Sequence, residues 1–195
     1  MSERIQNVNH QETIEYKGKK FRSKLELQTA QMLDALNIPY QYEERKIVLQ
    51  EGFRCPYQKE KVRDLTYTPD FIVGPIMLEC KGFETPEWKI KKKLLYRWLM
   101  DNEPDMSFYQ IHDSRKELLK ALDSHWNSLG YAISVTPKPT KKMPNNSSLS
   151  FDSIHQAMQE LHLIGKPIGA ILRSLAGATS YVYGYDWNLI KISNN

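Results

Sequence analysis

The chain has 195 residues and 41% hydrophobic content, enough to bury a core in one domain or in one core domain with a small appendage, and this excludes a wholly disordered chain. A formal charge of +4 permits a polyanionic partner without demanding one. No window approaches the eighteen or more apolar residues of a membrane span, "MSERIQNVNHQETIEYKGKK" lacks a signal-peptide profile, and Cys55 and Cys80 have neither disulfide-framework nor zinc spacing, so the expectation is a soluble cytoplasmic protein with ordinary thiols.

In chain order, "SKLELQTAQMLDALNI" (23–38) carries Leu25, Ala30, Leu33 and Leu36 near helical spacing, with Ser23 as N-cap and Pro39 as the stop. "YQYEERKIVL" (40–49) reads as a strand, and a polar loop with Gly52 and Pro56 follows. "VRDLTYTPDFIV" (62–73) and "IMLECK" (76–81) are extended segments joined at Gly74-Pro75, which predicts an antiparallel hairpin. Thr85-Pro86 opens a second helix, "PEWKIKKKLLYRWLM", with threonine as cap and proline at the first helical position. "MSFYQIH" (106–112) predicts a strand and "SRKELLKALDSHWNSL" (114–129) a helix. The resulting order of helix, three strands, helix, strand, helix predicts an α/β core with a mixed sheet over residues 1–133.

"SVTPKPTKKMPNNSSLS" (134–150) has three prolines, three lysines and no apolar periodicity, and is expected to be a linker. Beyond it, residues 151–195 are expected to form a small helical module. Ser153 caps a short helix with Ile154, Ala157, Met158 and Leu161, "LIGK" turns, and a second helix starts at Pro167 with Ile168, Ile171, Leu172 and Leu175.

The chemistry concentrates in "YTPDFIVGPIMLECKG" (67–82). Side chains alternate along a strand, so Glu79 and Lys81 share a face, Leu78 and Cys80 take the other, and Asp70 lies across the hairpin from them. Two carboxylates converging on one point repel unless a cation lies between them, and a hard cation such as Mg²⁺ suits an all-oxygen pair. Such an ion activates water against a phosphodiester, with Lys81 within reach to orient that water or offset developing charge, and the Cys80 carbonyl as an extra ligand. Packing of the first helix on the sheet would bring Glu26 of "FRSKLELQ" to the same corner. The competing reading is a structural hairpin with a turn aspartate and a surface Glu/Lys pair.

A helix glutamate, then "PD", then "E-x-K" on the next strand resembles the PD-(D/E)XK nucleases, the restriction-endonuclease-like superfamily. The version "SKLE … YTPDF … LECKG" is similar to phage endonuclease I-type junction resolvases and to TnsA-like transposon-end nucleases, over about residues 15 to 112. The resemblance implies a DNA endonuclease that uses Mg²⁺, or Mn²⁺ in its place, with Glu26, Asp70 and Glu79 as metal ligands and Lys81 as the catalytic lysine. It implies DNA as partner, with a homodimer as a compatible assembly, in a phage or bacterial setting. A non-catalytic DNA-binding protein on a nuclease scaffold is the alternative from another class.

Charge near the motif suits that partner. Lys89, Lys92 and Lys93 lie on one side of the second helix, and Lys19, Lys20, Arg22 and Lys24 precede Glu26, so both clusters are candidate phosphate contacts; a solvated amphipathic face explains the helix equally well. The tail, closing on "GYDW", resembles the NUMOD-type DNA-binding modules of homing endonucleases, which implies Lys166 and Arg173 as DNA contacts and suggests a phage-type homing or site-specific endonuclease, with junction resolution or transposon-end cleavage as alternatives. A two-helix clip packed on the core is the structural alternative for the same residues.

Overall fold

The structure is a computed structural model that describes residues 13–112, 116–139 and 147–192. Strands β1 (Ile14–Tyr16) and β2 (Lys19–Phe21) pair through a two-residue turn at Lys17-Gly18, both at positive φ, the geometry that matches strand twist. Helix α1 (Lys24–Ala35) follows, and Ser23 caps it by accepting from the Glu26 amide at 3.1 Å. It ends on Asn37, whose φ of 55° lets the Asn37 and Ile38 amides return to the carbonyls of Asp34 and Leu33. The helix therefore stops ahead of Pro39, the stop expected from sequence.

The predicted strand over 40–49 is two strands in two sheets, β3 (Gln41–Tyr42) and β4 (Ile47–Gln50), because Glu43 turns the chain at a φ of 51°. A separate hairpin, β5 (Phe53–Arg54) and β6 (Lys61–Val62), precedes β7 (Leu65–Tyr67), which returns to pair with β4. The chain changes sheets at Thr68 to Asp70, then forms the predicted hairpin from β8 (Phe71–Val73) and β9 (Ile76–Cys80). Gly74 takes a φ of 53° in the turn, and a Cβ there would lie 2.7 Å from Leu129 Cδ2. Helix α2 (Pro86–Asn102), capped by Thr85 with Pro86 at its first position, crosses over to β10 (Ser107–Ile111), which lies parallel to β9. The sheet order β10-β9-β8-β3 is mixed, as expected.

Alternation along β9 divides the molecule into layers. Ile76 and Leu78 join the main core with Ala30 and Leu33 of α1, whereas Met77 joins a second cluster with Tyr67 and with Trp88, Leu95 and Leu99 of α2. The sheet is thus covered by α1 on one face and α2 on the other.

The C-terminal third corrects two expectations. After α3 (Lys116–Asp123) the chain forms β11 (Tyr131–Pro137), β12 (Leu149–Phe151), α4 (Ile154–Glu160), α5 (Ile168–Leu175) and β13 (Tyr185–Lys191). Residues 134–137, assigned to the linker, lie in β11 and pair with β13 from Ser134↔Asn188 to Pro137↔Tyr185, and β12 holds its other edge. The tail is not a tethered module either: Ile154, Ala157, Ile171, Leu172 and Trp187 belong to the same buried cluster as Leu33, Leu118 and Leu122. Two short helices do stand where the tail's helix-turn-helix pattern puts them, but their apolar faces close the main core. Asp123 accepts from the Ile154 and His155 amides at 2.6 and 3.2 Å, fixing the start of α4, and Tyr131 donates to the Asn37 carbonyl at 3.0 Å. The centre of the predicted linker, residues 140–146, and the predicted start of the third helix at 114 lie outside the described residues, as do 1–12 and 193–195. No helix among the described residues is long and apolar enough to cross a membrane.

Candidate active site

An open cleft of about 820 Å³ lies where α1, the sheet-switching turn at 68–70, the end of β9 and the start of α2 meet. Glu26, Asp70, Glu79, Cys80 and Lys81 all line it, with Arg22, Glu43, Tyr67, Trp88 and Lys91. The register explains the convergence: Phe71 pairs with Leu78, so the next positions outward are Asp70 and Glu79.

Each carboxylate is anchored differently. Asp70 Oδ2 accepts from the Cys80 amide at 2.7 Å, while its other oxygen receives no hydrogen bond among the described residues. Glu79 Oε2 accepts from the buried Tyr67 hydroxyl at 2.8 Å, and Oε1 lies 3.7 Å from Lys81 Nζ. Glu26 is held on both oxygens: Ser23 donates to Oε1 at 2.8 Å, and Tyr42 and the Arg22 amide donate to Oε2 at 2.6 and 2.9 Å. Glu26 therefore ties down the chain entering α1, through the Arg22 amide and the Ser23 hydroxyl, as well as facing the cleft.

Electrostatics single out the pair on the hairpin. Burial, followed by the Glu79 charge, pushes the Asp70 carboxyl up to about 8, against the pull of the Cys80 amide. Burial also raises Glu79, with Tyr67 and Lys81 working in the other direction. Burial raises the Tyr67 hydroxyl and the Cys80 thiol above their ordinary values, so Tyr67 acts as a donor and Cys80 as an inert neighbour of Thr29. Two carboxyl groups that resist ionising together share this corner, with one ammonium beside them.

The donor chemistry fits a divalent hard cation. Among the described residues no three or more His, Cys, Asp or Glu side chains gather as a metal site, so Glu26 is not drawn into a three-carboxylate cluster with the other two. What the corner offers is a mutually repelling Asp/Glu pair, and Mg²⁺ is held by one or two carboxylates while keeping most of its waters.

Lys81 Nζ stands 5.3 Å from the Trp88 ring centre and 3.7 Å from Glu79, a position set by a cation-π contact and an ion pair together. Trp88 is in turn fixed by its indole N–H, which donates to Gln110 Oε1 at 3.0 Å.

The predicted basic residues divide into two groups. Lys20, Lys24, Lys89 and Lys93 are exposed, whereas Arg22 pairs with Glu43 at 2.9 Å, Lys19 with Glu44 at 3.5 Å, and Lys92 with Glu84 and Gln110. Lys166 lies 6.0 Å from the Tyr183 ring and Arg173 is exposed on α5, in the C-terminal third rather than at this cleft. Ile90 and Tyr96 are exposed on α2, which buries only Trp88, Leu95 and Leu99.

Sequence reasoning missed the roles of Tyr42 and Tyr67, the inner partners of Glu26 and Glu79, and also Glu43 at the cleft wall. Their roles depend on tertiary placement; the one local signal is the position of Tyr67 three residues before Asp70 at the end of a short strand. No protein-family model, curated protein or solved structure matches this chain.

Proposed function

We propose that the protein is a divalent-metal-dependent endonuclease that hydrolyses DNA phosphodiester bonds at the Asp70–Glu79 corner. The observation that carries this reading is the pair itself: the buried Glu79 and the half-buried Asp70, two carboxyl groups whose charges disfavour each other, facing one cleft with an ammonium fixed beside them. The order of α1 glutamate, Asp70 before β8, and Glu79 and Lys81 at the end of β9, on a mixed sheet covered by α1 and α2, supports the restriction-endonuclease-like reading.

Asp70 and Glu79 would hold the ion, with the Cys80 carbonyl as a further candidate ligand. When bound, a divalent cation polarises a phosphodiester oxygen and makes water more acidic. The chain's own groups do the rest. Tyr67 fixes one oxygen of Glu79 and leaves the other toward the cleft, and the Cys80 amide does the same for Asp70. Lys81, steadied over Trp88, offsets the negative charge that grows on the phosphate as water adds to phosphorus and the leaving sugar oxygen departs. Lys91 and Arg22 at the cleft wall attract the backbone phosphates. Glu26, through Ser23 and Tyr42, holds the end of α1 against the site.

The test is incubation with supercoiled plasmid, branched DNA and single-stranded DNA in Mg²⁺, and again with EDTA. Cleavage that requires the metal and is lost in Asp70→Asn and Glu79→Gln supports the reading, and the product pattern distinguishes nicking, linearisation and junction resolution. Metal-independent cleavage, or undiminished cleavage in the double variant, overturns it.

A further inference from the structure

The β5–β6 hairpin belongs to neither hydrophobic cluster. It leaves β4 at Glu51 and returns into β7, the strand that delivers Tyr67 to the cleft, so it is a ribbon rooted in the wall of the candidate active site. Its base is made by close approach: the Gly52 amide donates to Asp64 Oδ1 at 2.7 Å, and a Cβ on Gly52 would lie 2.5 Å from the Val62 carbonyl oxygen. Its tip is a turn, with the Gln58 amide returning to the Cys55 carbonyl at 3.1 Å and Tyr57 95% exposed beyond it.

A ribbon this exposed gains little from folding alone, and its charges make it worse. Residues 53–63 carry Arg54, Lys59, Lys61 and Arg63 against the single acid Glu60. All four cations are exposed, and none has an ion-pair partner among the described residues. Arg54 pairs directly with Lys61 across the two strands, so like charges face each other where an opposite pair would stabilise. The other face presents Phe53, 47% exposed. An arrangement that costs stability in the free protein is relieved by a polyanion, and a two-stranded ribbon fits the major groove of duplex DNA.

We infer that the β5–β6 hairpin is a DNA-contacting arm, with Arg54, Lys59, Lys61 and Arg63 on backbone phosphates and Tyr57 at the tip, holding duplex DNA across the Asp70–Glu79 cleft. The inference rests on the proposed nuclease reading for its partner but involves none of the catalytic groups.

The experiment uses the full chain with Arg54→Ala, Lys59→Ala, Lys61→Ala and Arg63→Ala combined, alongside Arg54→Lys with Arg63→Lys as the charge-preserving variant. Binding to a short duplex is followed by fluorescence anisotropy across a NaCl series in EDTA, and single-turnover cleavage is followed at saturating protein in Mg²⁺. The neutralised variant is expected to bind roughly tenfold or more weakly, with the slope of log affinity against log salt reduced by about 0.9 per phosphate that is no longer neutralised. Its saturated cleavage rate stays at the wild-type value, its melting temperature is at or slightly above wild type because the facing Arg54 and Lys61 charges are gone, and the charge-preserving variant binds as wild type does. Unchanged affinity and slope in the neutralised variant, with wild type binding and cutting normally, overturn the arm and leave the nuclease reading intact. Wild type that neither binds nor cuts duplex DNA overturns both.

Discussion

Tyr67 donates its hydroxyl to Glu79 Oε2 at 2.8 Å from inside the α2-facing core, so a buried aromatic of β7 sets the orientation of a carboxylate on β9 in the neighbouring sheet. The bond also lowers the proton affinity of a carboxyl that burial raises. Tyr67→Phe should therefore raise Glu79 further, and the acidic limb of the cleavage pH profile should move to higher pH. Loss of a hydrogen bond to a charged group costs about 1.5–3 kcal/mol when the partner is left buried, and less where Glu79 meets solvent in the cleft. A pH–rate series with thermal melting of the same variant separates the two effects.

Asp70 gives the pH dependence of stability a definite sign. Its folded carboxyl titrates at about 8 against an ordinary 3.8, so between those values the folded state holds the proton more tightly than the unfolded state does. Without metal, stability from this group is present at low pH and is lost as pH rises through that window, with a limiting slope of about 1.4 kcal/mol per pH unit. Asp70→Asn should flatten this decline and melt higher than wild type near pH 8 in EDTA. Mg²⁺ should raise the melting temperature of wild type by mass action and leave Asp70→Asn nearly unmoved.

Lys81 is held by Glu79 and the Trp88 ring, outside both buried clusters. Lys81→Ala should leave the Mg²⁺-induced thermal shift in place and lower single-turnover cleavage by roughly a hundredfold or more, the scale of charge-stabilising and proton-transfer groups. A variant that cleaves normally at saturating metal would remove Lys81 from the chemistry.

The basic residues of α2 are expected to behave unequally. Lys92 is engaged with Glu84 and Gln110, whereas Lys89 and Lys93 are exposed. Lys89→Ala with Lys93→Ala should reduce the salt slope of DNA binding by about 0.9 for each phosphate left without its lysine, and Lys92→Ala should change it little. Anisotropy titrations at several salt concentrations check both.

What was legible in the sequence was local. Ser23, Thr85 and Ser153 cap the helices they precede, with side-chain oxygens accepting from amides three residues on at 3.1, 3.2 and 3.0 Å, because capping needs only neighbouring residues. The meeting of Asp70 and Glu79 was legible for the same reason: a two-residue turn fixes the register, and the register fixes the faces. Glu26 was placed at the right corner, but its hold by Tyr42 depends on a contact that no spacing reveals. The β11–β13 pairing was hidden differently. It matches Val135 with Trp187 across the whole tail, and the prolines and lysines that follow "YAISV" read as a linker although the strand runs through the first of those prolines.

That pairing makes the tail indispensable to the fold. Cutting the chain after Pro139 removes β12, β13, α4 and α5, strips both edges from β11, and exposes the surfaces that Ile154, Ile171, Leu172 and Trp187 cover in the main core. The truncated chain should be insoluble or lack a cooperative melting transition, and the 147–195 piece should not fold alone, because its apolar faces are built against α1, α3 and β11. A milder probe keeps the chain whole. Trp187 is fully buried and its indole N–H donates to the Val182 carbonyl at 3.0 Å, so Trp187→Ala should cost about 3–5 kcal/mol, as large-to-small changes in a packed core do. Chemical denaturation followed by circular dichroism measures this, and a soluble, cooperatively melting 1–139 chain would show instead that the tail is a separable module.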